Sequence, residues 1–507
     1  MQESPEDPSG ISWRTIAREC GSALRTRISA EPEQSWSRDP AKLLALAGGF
    51  RAAGASNPYA AEPYLDAADA LLADGAADPG FGVLASVLRS VTMRELGRHS
   101  AARSLLRTAS ASLATAELSF SDRIELSALV VMHEGFCELQ RGDLDSARRT
   151  LVRGLRLAGD RTAPALLAEG YGCTALIELR TGSLRDAEAT ITRALDIARS
   201  AELGNEPCTA PARLAQASLA IERGQLEGVG DRLAELARDT AGTEYEPLVL
   251  AVTSVFHESV GADDEAMDDL QELQLVIRDW ESPSFPRTLH DYGRVGLLVR
   301  HQETATARAQ LTRLEPDATH SRCPAAWSAR IALDTGDYAG AIELTTPCLA
   351  MGDTHAPRTA TLANLANAAA HDLLGDIKTA DTLFARALLL ASSAGLVRPF
   401  GFLPRQHLTQ LVERAKSMTQ PQHVRRMLEQ ISARLTDDHA DGAAVLSPRE
   451  HIVLERLVEG DTQQRISFEL SVSPNTVKTQ LRSIYRKLGV TTRDGAVQRA
   501  RTLGIIG

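Results

Sequence analysis

The strongest constraint on the fold is a short pattern that recurs along most of the chain: a glycine, then a small residue five positions later. Seven copies have glycine and one has glutamine: Gly97/Ala102, Gly142/Ala147, Gly182/Ala187, Gly224/Val229, Gly261/Ala266, Gln302/Ala307, Gly336/Ala341 and Gly375/Ala380. Glycine permits the left-handed backbone that ends a helix, and a small residue lets the next helix pack closely against the first. A regular period near ~40 residues predicts an all-α solenoid of stacked helix pairs, with an irregular helical domain as the alternative.

These repeats resemble tetratricopeptide repeats, with helices longer than those of the standard unit of about 34 residues. The segment from Gly375 to Leu388 is the most similar copy. The resemblance implies a superhelix whose concave surface binds a ligand or a protein partner. We expect the solenoid to span residues 39–435, built from pairs such as Pro164–Arg180 and Ser183–Ala198.

The segments that flank the repeats are polar. Residues 1–38 form an N-terminal segment rich in Ser, Pro, Glu and Asp. We expect its first ten residues to be disordered, and the stretch from Ile11 to Ile28 to form one amphipathic helix. Residues 436–445 are polar and acidic, which predicts a linker to the last part of the chain.

The last part, residues 446–507, carries two helix starts in which serine precedes proline. Ser447-Pro448 and Ser473-Pro474 each place a capping hydroxyl before a residue that has no N–H group. Between them, Gly460 ends one helix and Thr462 can cap the next. This spacing predicts three short helices with a tight turn before the third, which is a helix-turn-helix arrangement.

The third of these helices is predicted to have two unlike faces. Its apolar residues are Val477, Leu481, Ile484 and Leu488, and we expect them to pack on Leu454, Leu457, Ile466 and Leu470. The opposite side carries Asn475, Thr479, Arg482 and Arg486, with Lys478 on the flank. Such a face supplies hydrogen-bonding groups for base edges and cations for phosphates in a DNA major groove. The alternative is the solvated face of a small helical domain.

At these residues the segment resembles the LuxR-type (FixJ/NarL-type) DNA-binding domain of bacterial transcription regulators. The matching residues are Leu446 to Glu450, Leu454, Leu457, Gly460, Ile466, Leu470, Val472, Ser473, Thr476 to Lys478, Ile484 to Val490, Arg493 and Ala496. A solenoid before such a domain is similar to the C-terminal part of the large ATP-binding LuxR-family regulators. The G-x-x-x-x-G-K-[ST] loop of their ATPase module does not occur in this sequence.

The resemblance implies which residues bind DNA and which pair two domains. The expected DNA contacts are Thr462, Gln463, Ser473, Asn475, Thr476, Lys478, Thr479, Arg482 and Arg486. Thr491 or Thr492 can cap a fourth helix that runs to Gly504, and dimerisation on an inverted repeat is expected through Val497 and Ala500. Arg465 stands near a helix start, where the helix dipole disfavours a cation.

Charge is divided unevenly between the two parts of the chain. The whole sequence carries a formal charge of −11. Residues 446–507 hold ten basic and six acidic side chains, or +4, so residues 1–445 carry −15. A small basic domain on a large acidic body is typical of a DNA-binding domain attached to a body that does not itself bind DNA.

Nothing in the sequence indicates catalysis or a bound cofactor. The six cysteines, at positions 20, 137, 173, 208, 323 and 348, include no C-x-x-C pair, so we expect buried thiols rather than disulfides or a metal site. His257-Glu258 does not continue into a zinc-binding helix motif. We expect a non-enzymatic, cytoplasmic protein, since the acidic start resembles no signal peptide and no apolar run reaches the length of a membrane span.

Two functions from different classes fit these observations. In the first, the chain is a transcriptional regulator whose solenoid senses a ligand or protein partner and whose last domain binds double-stranded promoter DNA in the major groove. A homodimer on DNA is expected, and RNA polymerase is a candidate partner. In the second, the chain is a helical-repeat scaffold whose C-terminal helices mediate protein contacts.

Overall fold

The computed structural model describes residues 11–18, 22–54, 56–73, 78–159, 162–317, 320–440, 448–459, 461–470, 492–502 and 505–506. Between 470 and 492 it describes 477, 480, 481, 484, 485, 488 and 490. Throughout these residues the regular structure is helical, without a strand, which confirms the all-α fold. They divide into two compact units, one ending at Leu403 and the other beginning at Pro404. None of the described helices is both long enough and apolar enough to cross a lipid bilayer.

The first unit is a series of helix pairs. Four helices precede the repeats: α1 Trp13–Arg18, α2 Ser22–Ser29, α3 Pro40–Gly48 and α4 Pro58–Leu72. The pairs are α5 Pro79–Glu95 with α6 His99–Thr115, α7 Phe120–Gln140 with α8 Leu144–Leu157, α9 Pro164–Thr181 with α10 Leu184–Ser200, and α11 Ala210–Glu222 with α12 Val229–Thr240. They continue as α13 Glu246–Ser259 with α14 Asp263–Val276, α15 Phe285–Arg300 with α16 Thr304–Leu311, α17 Pro324–Asp334 with α18 Tyr338–Ala350, and α19 Pro357–Leu373 with α20 Ile377–Ala394.

The recurring pattern lies at the turn inside each pair, as predicted. All eight leading residues have positive φ angles, from 61° at Gln302 to 92° at Gly182. Glycine adopts this backbone without steric cost, whereas Gln302 does so despite its Cβ atom. The eight small residues that follow are all completely buried, because each lies where the second helix of a pair meets the first. The local pattern therefore determines both the turn and the helix contact.

Aspartates in several of these turns cap the second helix. The side chain of Asp143 accepts a hydrogen bond from the N–H of Ser146, and Asp376 accepts one from Thr379. Each bond satisfies a backbone donor that the first turn of a helix leaves free. Ser183 occupies the same position before α10 but makes no side-chain cap.

The N-terminal segment differs from the single amphipathic helix predicted for it. Two helices, α1 and α2, occupy the stretch, and the first ten residues lie outside the described part of the chain. Trp13, Ile16, Leu24 and Ile28 are buried. Because α1 and α2 pack on α3, this stretch extends the hydrophobic core of the solenoid rather than preceding it.

Repeats that are distant in sequence also touch one another. The N–H of Gly54 donates to the carbonyl of Asp239 at 2.9 Å, and the N–H of Glu281 donates to the carbonyl of Gly97 at 3.0 Å. In a simple repeat array each unit contacts only its neighbours. Here the helix pairs curl until non-adjacent segments of the first unit meet. This curl leaves a cavity on the inner surface of the first unit.

The second unit begins at Pro404 and is helical. Its helices are α21 Arg405–Lys416, α22 Gln422–Ala440, α23 Pro448–Val458, α24 Gln463–Glu469 and α25 Arg493–Thr502. We predicted that the solenoid would extend to 435 and that a linker would occupy 436–445. Instead α21 and α22 pack against each other in the second unit, and α22 continues through Ala440, so 436–440 are helical. The rest of the predicted linker, 441–445, lies outside the described residues.

Candidate functional site

The C-terminal helices enclose one hydrophobic core, composed as predicted. Its buried residues are Val453, Leu454, Leu457, Ile466, Val477, Leu481, Ile484, Leu488, Ala496 and Ala500, with Leu470 packed at the edge. The +4, +3, +4 spacing of the four residues from Val477 to Leu488 therefore marks the buried side of the third helical segment. The core joins this segment to α23, α24 and α25.

The start of α24 confirms one predicted cap. The Thr462 hydroxyl accepts a hydrogen bond from the N–H of Arg465 at 3.3 Å, and Gln463 follows it as an exposed side chain. Arg465, which we expected to be unfavourable near a helix start, has acidic partners. Its Nε lies 3.2 Å from an Asp461 oxygen and 3.3 Å from a Glu469 oxygen. These carboxylates compensate the unfavourable interaction of the cation with the helix dipole.

Most predicted DNA contacts lie outside the described residues. These are Ser473, Asn475, Thr476, Lys478, Thr479, Arg482 and Arg486. Thr462 and Gln463 are the described members of the set, and both are exposed on the same end of α24. All nine DNA contacts, including those of Thr462 and Gln463, therefore stay predictions from the sequence and the family resemblance.

The fourth helix of the domain, α25, is anchored at its start. The Thr492 hydroxyl accepts from the N–H of Gly495 at 3.2 Å, which selects Thr492 between the two threonines considered as caps. Arg493 donates to the carbonyl of Leu457 at 2.8 Å and so ties α25 to α23. Ala500 is completely buried in the core, where it supports the domain itself. Val497 is half-buried. Of the two residues predicted to pair two domains, Val497 is therefore the one with exposed surface.

The first unit encloses a cavity of about 190 Å³ on its inner side. The first helices of six successive pairs, α9 to α19, contribute its walls. The segment after α20 runs back across them, where the N–H of Val397 donates to the carbonyl of Glu222 at 2.9 Å. Apolar wall residues include Leu176, Leu214, Ile221, Leu248, Val252 and Trp327. The cavity is therefore a largely apolar space framed by distant parts of the solenoid.

Its charged wall residues are mainly basic. Four arginines, Arg180, Arg322, Arg358 and Arg398, face two glutamates, Glu222 and Glu258. Arg358 lies 3.0 Å from Glu222, and Arg398 lies 2.7 Å from Glu258. Arg322 lies 3.4 Å from Asp317, so Arg180 is the one arginine of the four without an ion pair among the described residues.

Arg180 is the least compensated of these cations. Among the described residues no carboxylate forms an ion pair with its guanidinium, although the charge of Glu222 acts on it, and its Nε is buried without a hydrogen-bond partner. Burial, followed by the positive charge of Arg358, lowers the pKa of Arg180 to about 10. The buried hydroxyl of Tyr292 likewise has no partner among the described residues. Both groups line the cavity and can donate hydrogen bonds to an occupant.

The cysteines confirm one prediction and modify another. The five described cysteines are buried, as expected, while Cys20 lies outside the described residues. We predicted no metal site from their scatter along the sequence. In space, however, Cys323 and Cys348 lie together with His320 and His355. The spacings His320-x₂-Cys323 and Cys348-x₆-His355 were the available signal, but 25 positions separate the two pairs.

The comparisons with known proteins match the C-terminal segment. Residues 444–500 match the family described as bacterial regulatory proteins, luxR family. Over 58 residues the chain is 48% identical to the probable transcriptional regulatory protein NarL of Mycobacterium tuberculosis, covering 11% of this chain and 27% of that protein. It is 34% identical over 100 residues to the transcriptional regulatory protein YdfI of Bacillus subtilis, covering 20% of this chain and 46% of that protein. The chain thus spans less than half the length of these relatives.

Solved structures resemble the helical repeats at low sequence identity. A Rap protein complexed with competence and sporulation factor aligns with 71% of this chain and 99% of its own, with a TM-score of 0.46 and 12% identity. A tetratricopeptide repeat protein from Parabacteroides merdae aligns with 59% of this chain and 98% of its own, with a TM-score of 0.29 and 14% identity. By its family match and its buried core, the C-terminal segment of this chain is a domain of the luxR family, and a solenoid of helix pairs precedes it in the sequence.

Proposed function

We propose that this chain is a DNA-binding transcriptional regulator whose solenoid senses a ligand or protein partner and whose C-terminal domain binds promoter DNA in the major groove. The observation that carries the proposal is the buried set Val477, Leu481, Ile484 and Leu488 within a domain of the luxR family. Helical spacing predicts that positions 478, 479, 482 and 486 lie away from this buried set, and the sequence places lysine, threonine and arginine there.

The proposed contacts fall into two classes. Lys478, Thr479 and Arg482 meet base edges, because their side chains offer the donors that guanine and adenine accept in the major groove. Arg486 and the exposed Thr462 and Gln463 meet phosphates and set the position of the domain on the duplex. Ser473, Asn475 and Thr476 stand at the start of the recognition helix, where backbone and side-chain donors meet the DNA backbone.

On DNA we propose a homodimer that uses α25 and binds an inverted repeat. In dimeric helix-turn-helix proteins the recognition helices lie one DNA turn apart, about 34 Å. RNA polymerase is the candidate partner once the dimer is bound at a promoter. The alternative is a scaffold protein whose C-terminal helices bind protein, and DNA titration of the full chain separates the two.

For the solenoid we propose a small-molecule ligand with an anionic head and an apolar body. The cavity walls supply an uncompensated cation in Arg180, a free donor in Tyr292 and a largely apolar lining. A buried cation without a partner is costly, and an anionic ligand would remove that cost. The volume of about 190 Å³ suits a small molecule rather than a folded domain.

Anilinonaphthalene sulfonate tests this assignment, because it combines an anionic group with apolar rings. Its fluorescence should rise on binding to the full chain, whereas the uncharged analogue phenylnaphthylamine should bind at least about tenfold more weakly. Arg180→Met should remove this difference, and Arg185→Met, at an exposed arginine on α10, should preserve it. Equal binding of both probes to the parent chain contradicts an anion-selective cavity.

A further inference from the structure

Four metal-binding side chains from three separate segments converge in the first unit. His320 and Cys323 come from the segment before α17, Cys348 from α18, and His355 from the turn before α19. One ligand atom from each lies within 4.8 Å of the others. Two thiols and two imidazoles are the ligand set that tetrahedral Zn²⁺ sites in proteins use.

The distances within the cluster match the edges of a zinc tetrahedron. Zn–S bonds of about 2.3 Å and Zn–N bonds of about 2.0–2.1 Å place neighbouring ligand atoms ~3.4–3.8 Å apart. The sulfur atoms of Cys323 and Cys348 lie 3.5 Å apart. The Cys348 sulfur lies 3.7 Å from Nδ1 of His320. The protein chain thus brings these ligand atoms close to the required arrangement.

The surroundings of His355 point to a ligand as well. Its Nδ1 lies 3.2 Å from the carbonyl of Ala356, and its Nε2 is buried without a hydrogen-bond partner among the described residues. In the tautomer whose Nδ1–H donates to that carbonyl, Nε2 offers a lone pair. A metal-bound histidine is typically oriented in this way, with one nitrogen hydrogen-bonded to the backbone and the other on the ion.

The other ligands are held in suitable positions. Cys323 is buried at the N-cap of α17, where the helix dipole favours a thiolate. His320 has a positive φ of 52°, a backbone that non-glycine residues adopt rarely, and the Thr359 hydroxyl donates to its carbonyl at 2.5 Å. Such strained positions are enriched at ligand sites.

We propose that His320, Cys323, Cys348 and His355 bind one Zn²⁺ ion with closed tetrahedral coordination. The ion joins the segment before α17 to α18 and to the start of α19. Since four protein ligands leave no open position, the site is structural rather than catalytic. Ser321, Arg322 and Cys323 also line the cavity, so the ion fixes part of the cavity wall.

Metal analysis of the full-length chain tests the proposal. The protein is purified under reducing conditions, without chelators and without metal-affinity chromatography. Zinc is then measured by mass spectrometry, and about one ion per chain is expected. Cys348→Ser and His320→Ala should each retain zinc at least about tenfold more weakly in competition with a chromophoric chelator. Cys208→Ser, at a buried cysteine away from the cluster, should keep the full content.

Cobalt spectroscopy on the parent protein keeps the test independent of how the variants fold. After zinc is removed by a chelator, added Co²⁺ should give the ligand-field bands of a tetrahedral ion and a thiolate-to-metal charge-transfer band. Zinc should then displace the cobalt and raise the melting temperature. The proposal is overturned if the parent protein holds no zinc and gives no tetrahedral cobalt bands. It is equally overturned if Cys323 and Cys348 form a disulfide in the protein as first purified, before any chelator is added, or if Cys208→Ser loses as much metal as Cys348→Ser.

Discussion

Arg94 and Glu244 meet inside the helical-repeat unit, with 2.8 Å between Nη2 of the arginine and Oε1 of the glutamate, although 150 positions separate them in the sequence. Neither side chain has appreciable contact with solvent. Arg94 also donates to Nδ1 of His133 at 2.9 Å, and Arg51 adds a second cation 3.1 Å from Glu244. Burial alone would raise the pKa of Glu244, but Arg51 and Arg94 hold it below its ordinary value. The carboxylate is therefore charged and links α5 to the start of α13.

Removal of one partner of this pair should be strongly destabilising. Glu244→Gln keeps the shape of the side chain but leaves two buried guanidinium groups without their shared anion. We expect a loss of about 3–5 kcal/mol in the free energy of unfolding, measured by urea denaturation. The matched control is Asp196→Asn, which breaks the exposed ion pair with Arg199 and should cost less than about 1 kcal/mol. Equal losses in the two variants would contradict the role given to the buried pair.

Glu95 should make the stability of the protein depend on pH. Burial, followed by the charge of Glu244, raises the pKa of Glu95 from 4.5 to about 8. Between these two values the folded state holds a proton that the unfolded state releases. The stabilising contribution is therefore complete below pH 4.5 and is lost as the pH rises toward 8, by up to about 1.4 kcal/mol per pH unit.

Glu95→Gln should remove this dependence. Unfolding midpoints of the parent and the variant are compared at several pH values between 5 and 9. As the pH rises, the midpoint of the parent should fall relative to that of the variant. The nearby Ser56→Ala change removes a hydrogen bond to Glu95 but keeps the titrating group, so the pH dependence should persist. A stability difference between parent and Glu95→Gln that does not vary with pH would show that Glu95 titrates normally.

Alanine substitutions at Arg482 and at Arg486 should have different effects on DNA binding. Arg482→Ala should cost about 1–3 kcal/mol at the cognate site and relax the base preference there, because a base contact is lost. Arg486→Ala should weaken binding to all sequences alike and lower its salt dependence, because a phosphate contact is lost. Fluorescence anisotropy with cognate and scrambled duplexes over a salt series measures both effects. If Arg482→Ala bound both duplexes as tightly as the parent does, this docking would be incorrect.

Pairing of two domains on DNA should depend on Val497. Val497→Glu places a charge at the proposed dimer contact and should abolish cooperative binding to an inverted repeat, with little effect on a single half-site. Gln498→Glu adds the same charge at an exposed neighbouring position and should preserve cooperativity. Ala500→Glu should instead unfold the domain, because Ala500 lies in its core. A footprint that covers one unpaired half-site for the parent chain would indicate monomer binding.

The local parts of this structure were predictable from the sequence. The turn at Gly182 and the helix contact at Ala187 depend on residues five positions apart, so periodicity reveals them. The buried set from Val477 to Leu488 follows equally from helical spacing. In each case the physical requirement, a left-handed backbone or one apolar side, is met by residues close together in the chain.

The parts that depend on distant residues were not predictable in this way. The curl that brings Gly54 to Asp239 and Arg94 to Glu244 depends on small rotations between successive helix pairs, which leave no local sequence signal. The same curl forms the cavity around Arg180. Cys323 precedes α17 and Cys348 lies in α18, so their proximity follows from packing rather than from spacing. The packing of α21 against α22 in the second unit likewise leaves no signal in local spacing, because both helices continue the helical pattern of the preceding residues.

Chromatin immunoprecipitation of the full-length protein tests whether this chain regulates transcription by binding promoter DNA. We expect the enriched fragments to lie at promoters, to share a two-fold symmetric sequence, and to lose their enrichment when Lys478→Ala and Arg482→Ala are combined at equal protein level. Enrichment no greater than in a mock precipitation, or enrichment that the double variant leaves unchanged, would contradict it.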